Sequence, residues 1–112
     1  MDPKIDTVVL DTPQSATVSG PIHWAPAGEK KAWFATAISQ VDGGQTVVAS
    51  GRNLNAFKFG ADDRWQATVS VNGNGGQLQR GVEAYGWAVA AIEFAGGAHR
   101  AYPWEVDDLT VN

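Results

Sequence analysis

Clusters of glycine, proline and aspartate cut this chain into short β-favouring runs, and that punctuation constrains the fold more than any other feature. The breaks fall at Thr12-Pro13, Gly20-Pro21, Asp42-Gly43-Gly44, Gly60-Ala61-Asp62-Asp63, the stretch 72–76 and Gly96-Gly97. No stretch between them shows the three-to-four spacing of an amphipathic helix. Turns at intervals of roughly eight to twelve residues are the mark of an antiparallel β-sandwich. No sequence period repeats, which excludes solenoids and propellers.

The runs predict about seven strands. Residues 5–10 and 16–19 are short extended pieces, the second closed by Gly20-Pro21. Prolines bracket residues 22–25, which predicts an edge strand or structured loop. Residues 31–41 are apolar on both faces and predict a central strand, with Ala32, Phe34, Thr36 and Ile38 opposite Trp33, Ala35, Ala37 and Ser39. Residues 45–50 return from it as a hairpin. The stretch 51–59 is open between a crossing strand and a packed loop. From Arg64 to Val71 the alternation is strict, with Trp65, Ala67, Val69 and Val71 on one side. Residues 82–94 predict a strand with a bulge or close backbone approach at Gly86. In the last run, 100–111, the apolar phase changes at Asp107-Asp108, which predicts a bulge there.

A chain of 112 residues fits one domain, here 1–112. It has no cysteine, so disulfides and thiolate metal sites are excluded. Net charge is −4 and the eight basic residues are scattered, which argues against nucleic acid and membrane surfaces as partners. No apolar run is long enough for a transmembrane helix. The start, Met1-Asp2-Pro3-Lys4, lacks the apolar stretch of a signal peptide; that fits a cytoplasmic chain or an extracellular one whose leader is absent here.

Chemical motifs are weak. His23 and His99 sit beside turns, and no serine lies in a nucleophile elbow. A small hydrolase or lyase would need one of these histidines oriented by Asp107 or Asp108. The acid pairs Asp62-Asp63 and Asp107-Asp108 do not form a calcium loop, and the glycines at 73, 75 and 76 do not form a phosphate cradle. No cofactor or metal is expected. Tryptophan is the informative residue, with five in the chain. Trp65 is expected in the core, with either Trp33 or Trp87 between the sheets. Trp24 and Trp104 each lie near a proline, at Pro26 and Pro103, where an edge is expected. With Tyr102 they form a candidate ligand-binding surface, and His23 and Arg100 would supply its polar rim.

Several short segments resemble bacterial immunoglobulin-like domains. They are Ala16-Thr17-Val18-Ser19-Gly20, the strand end Val41-Asp42-Gly43-Gly44, Trp65-Gln66-Ala67-Thr68-Val69, Leu78 and Gly81 with the alternation from Ala84 to Ala90, and Trp104 leading into Leu109-Thr110-Val111. The resemblance implies an all-β, antiparallel immunoglobulin-like β-sandwich serving as a spacer, adhesion or ligand-binding module; a small β-barrel is the alternative. The leading expectation for function is a non-catalytic module that binds a carbohydrate, peptide or protein through exposed aromatics. The second is a structural domain that forms a homodimer through an edge strand, either Val8-Val9-Leu10 or the last strand.

Overall fold

The computed structural model describes residues 4–23, 29–42, 44–54, 62–72 and 76–112. These residues form seven strands: β1 (Thr7–Thr12), β2 (Ser15–His23), β3 (Glu29–Asp42), β4 (Gln45–Leu54), β5 (Asp62–Val71), β6 (Glu83–Phe94) and β7 (His99–Thr110). All neighbours are antiparallel, in the order β1-β2-β5-β4-β3-β6-β7. β4 pairs with β3 along its whole length but with β5 only at Ala49–Val71 and Ser50–Ser70. The sheet folds over at that short junction and buries one face of β1-β2-β5 against one face of β3-β6-β7. At the other margin, a single parallel bridge joins Val8 to Val111, and Asn112 exchanges backbone bonds with Val8 and Leu10. The sheet is therefore sandwich-like and not a closed barrel.

Two sequence expectations about irregularity are met. Three residue steps on β7, from Val106 to Leu109, oppose two on β6, from Gly86 to Ala84, so the extra residue lies in the Asp107-Asp108 segment. Gly86 faces inward, and a Cβ there would come within 2.7 Å of Leu109 Cδ1 and 3.1 Å of Ile5 Cδ1. β2 departs from expectation because it runs through Gly20-Pro21 to His23. The Pro21 carbonyl accepts the Lys4 N–H at 3.3 Å. A strand residue's N–H and C=O point to the same side, so the missing donor faces the irregular segment before β1 and costs no bond to β5. β4 runs to Leu54, further than the hairpin predicted; Phe57 and Phe59 lie outside the described residues.

Among the described residues Trp65 is the largest fully buried side chain, packed with Val8, Val18, Ile38 and Val69. Its indole N–H donates to the Lys4 carbonyl at 2.8 Å, which ties residues 4–6 across the end of the sandwich. Gly20 permits this approach, because a Cβ would overlap that same carbonyl. Asp6 completes the tie through a two-pronged pair with the Arg64 guanidinium at 2.6 and 3.1 Å.

The bond from Arg64 holds the Asp6 carboxyl below its ordinary value. A depressed carboxylate adds stability that is present above its unfolded pKa, near 3.8, and is lost as pH falls through the folded value. Both partners are about half exposed, so the effect is small. Asp6→Asn is expected to lower the melting temperature slightly at neutral pH, with the gap to the parent closing as pH falls below the unfolded value of 3.8 and through the lower folded one. Thermal melts across pH 2–7 check this; a gap that widens toward acid would contradict it.

Candidate functional site: the outer face of β4-β3-β6-β7

The alternation of β6 divides it by size. Ala84, Gly86, Ala88, Ala90 and Ile92 face the core, whereas Tyr85, Trp87, Val89 and Ala91 face out. Small residues are buried here because Trp65 from the opposite layer and Trp104 from β7 already fill the interior. The partners of β6 on β3 follow the same phase: Ser39 beside Tyr85, Ala37 beside Trp87, Ala35 beside Val89 and Trp33 beside Ala91. On β4 the outward row is Val48, Ser50 and Arg52, and on β7 it is Glu105, Pro103 and Ala101.

The result is a four-stranded face with an apolar centre. Trp87 and Tyr85 are each 39% exposed, Val48 is also 39% exposed, and Val41 is 68% exposed. Two shallow hollows lie on it. One is floored by Ala37 and Ser39 between Val48, Tyr85 and Trp87. The other lies between Trp33, Ala91 and Ala101, with His99 and Arg100 at its rim. Trp87 and Trp33 lie four residue steps apart in register, about 13 Å along the strands. The Thr36 hydroxyl, on the buried face, donates to the Trp87 carbonyl at 2.7 Å and pins the β3–β6 register under this face.

The residues singled out by sequence are distributed differently. Tyr102 and Trp104 lie on the inward side of β7, half buried and packed against the core. The Trp104 indole N–H is buried without an acceptor among the described residues, and the Lys4 ammonium sits 5.6 Å from the ring centre. Neither ring joins the outer platform, because β7 pairs Tyr102 with Ala90 and Trp104 with Ala88, both inward positions. Arg100 is exposed at the start of β7, paired with Ile92. His23 ends β2, paired with Asp62; its side chain and all of Trp24 lie outside the described residues. Neither Trp33 nor Trp87 lies between the layers, which corrects that expectation.

The hydrolytic pairing fails for His99. It sits exposed opposite Glu93, eight residues before Asp107 on the same strand, about 26 Å away. Among the described residues, no three His, Asp or Glu side chains are grouped to hold a metal. Of the two expected open edges, β1 is covered at Val8 and Leu10 by Asn112. β7 carries Pro103 at its middle, which withholds a donor there.

The outer platform had a legible signal. The phase of β6 that carries Tyr85 and Trp87 also carries Glu83 and Glu93 at its ends, whereas the opposite phase has no charge. Charged ends mark the solvent side of an antiparallel strand. Comparison with known proteins adds nothing to this geometry: no family model, curated protein or solved structure matches the chain.

Proposed function

We propose that this chain is a non-catalytic interaction module whose contact surface is the outward aromatic face of β3 and β6, centred on Trp87 with Tyr85 and Trp33. One observation carries the reading: the bulky residues of β6 face solvent while its alanines and Gly86 face the core. An isolated exposed aromatic is ordinary, but a contiguous apolar patch with polar margins is the usual form of a recognition surface. Tryptophan and tyrosine at its centre and arginine at its rim are the residue types that dominate binding energy.

The strand arrangement supports the immunoglobulin-like resemblance. In that fold the first, second, fifth and fourth strands form one sheet and the third, sixth and seventh the other. Here β1-β2-β5 and β3-β6-β7 keep that order, while β4 pairs along its length with β3 and at only two positions with β5, so it extends the second sheet. Such sandwiches serve as scaffolds, and what they bind is set by the surface they carry.

The reading separates binding from folding. Trp87→Ala and Tyr85→Ala are expected to cost about 1–2 kcal/mol each, because each ring is 39% exposed and only its covered part loses transfer energy on truncation. Trp104→Ala, packed against the core, is expected to cost about 2–3 kcal/mol. Urea unfolding of the three proteins checks the ordering. If Trp87→Ala proves as damaging as Trp104→Ala, the outer ring is a structural element and the reading fails.

A further inference from the structure

We propose that the partner of this face is a second copy of the chain, related by a two-fold axis that runs parallel to the strands between β3 and β6. The inference rests on the reading of the outer face as a contact surface, and it follows from the order of side chains across that face.

In each row across β3 and β6, one residue is large and the other small: Ser39 with Tyr85, Ala37 with Trp87, Ala35 with Val89, and Trp33 with Ala91. A two-fold axis along the strands lays β6 of one copy over β3 of the other and keeps the rows in step. Trp87 then meets the partner's Ala37, Tyr85 meets the partner's Ser39, and Trp33 meets the partner's Ala91. Each row fills the gap of about 10 Å between stacked sheets with one large and one small residue. An axis across the strands would stack β6 on β6 and lose this match.

The hollows agree. The one floored by Ala37 and Ser39 lies where the axis delivers Trp87, and the one beside Ala91 lies where it delivers Trp33. A contact of this kind is isologous, the same patch serving both copies.

The charges agree as well. Arg52 lies on the β4 margin and Glu105 on the β7 margin, both exposed. Within one copy they are three strand spacings apart, about 14 Å, too far to pair. The same axis lays β7 over the other copy's β4. Glu105 then faces the partner's Ser50, one pair step, about 7 Å, from the partner's Arg52 and within reach of its extended side chain. Both margins of the contact gain an opposite charge.

Four strands over residues 33–41 span about 500 Å² of face, so the pair would bury about 1,000 Å² in all, the low end for a specific contact. The expected dimer is therefore weak, with half-association at roughly 10–100 µM. Sedimentation equilibrium on the whole chain should show the mean mass rising toward twice the monomer over that range. Glu105→Arg should weaken association at least about tenfold, and Arg52→Glu combined with Glu105→Arg should restore it. Ser50→Glu, which sets a second carboxylate against the partner's Glu105, should weaken it independently, with circular dichroism confirming that each variant is folded. Recovery in the double exchange cannot come from within one copy.

Two results would overturn the proposal. A chain that stays monomeric at several hundred micromolar removes the second copy; if Trp87→Ala also remains folded, the aromatic face stands and takes a different partner. A dimer indifferent to Glu105→Arg and Ser50→Glu is built on another surface.

Discussion

Trp65→Ala is expected to remove about 4 kcal/mol of stability, the largest loss from any single truncation among the described residues. Deleting a fully buried aromatic costs about 3–5 kcal/mol from lost transfer energy and the cavity left behind. Trp65 is 0% exposed and lies where β2, β5 and the N-terminal segment meet. The substitution also removes the donor to the Lys4 carbonyl, which sits against Gly20 and has little room to shift. A domain of this size has only about 5–15 kcal/mol in all, so the variant should be largely unfolded at body temperature or melt about 15–25 °C lower. Trp65→Phe keeps most of the packing and loses the bond, so it should cost about half as much. Thermal melts of the two variants decide this. Equal losses would mean that the bond to Lys4, and not the ring, carries the effect.

Gln40→Leu should be the second most damaging change, at about 3 kcal/mol, although it makes a buried position more apolar. Gln40 is 2% exposed on the inward face of β3. Its amide NH₂ donates to the carbonyls of Gln79 at 2.9 Å and Val82 at 3.2 Å, and its carbonyl accepts the Gln79 N–H at 2.8 Å. Three backbone groups of the segment leading into β6 are therefore satisfied by one side chain. Leucine fills nearly the same volume but removes all three bonds; the Val82 carbonyl keeps the Val111 N–H at 3.4 Å, whereas the Gln79 N–H and carbonyl lose their bonds to Gln40, and a part-buried group that loses its bond costs about 1–3 kcal/mol. Gln40→Glu should fare no better, because it loses both donors and buries an acid. Hydrogen exchange at the Gln79 amide reports the local effect: protection should fall in Gln40→Leu well before the molecule unfolds. Unchanged protection would show that the segment is held by Leu78 and its neighbours alone.

The two strongest legible signals were local ones. The strict alternation of Arg64–Val71 foretold the buried row of β5, and the phase change at Asp107-Asp108 foretold the bulge in β7. Both depend only on neighbouring residues and the period of a strand. What was not legible depends on the other layer. Periodicity alone sorts Tyr85 and Trp87 from Ala84 and Ala88 without saying which set faces in; the one pointer in the sequence is Glu83 and Glu93 at the ends of the aromatic phase. Apolar content favours burying the aromatics; the space already taken by Trp65 reverses that choice. Tyr102 and Trp104 were misread for the converse reason: proline neighbours marked β7 as an edge strand, and an edge strand still has an inward face. Gln40 carried no sequence signal, since a lone glutamine in an apolar run looks like a solvent-facing residue. Its partners lie about 40 positions away, and only the fold brings them together.

The most direct test of the outer aromatic face is the solvent exposure of each tryptophan, read by fluorine NMR on fluorotryptophan-labelled protein with a soluble paramagnetic quencher. Single Trp→Phe changes assign the signals, and the protein is kept dilute so that copies do not cover one another. Trp87 should be broadened most, Trp33 next, and Trp65 not at all. Trp104 should be less affected than Trp87. A protected Trp87 in dilute monomer, or a Trp104 more exposed than it, would contradict the outward placement of the β6 aromatics on which the proposed function stands.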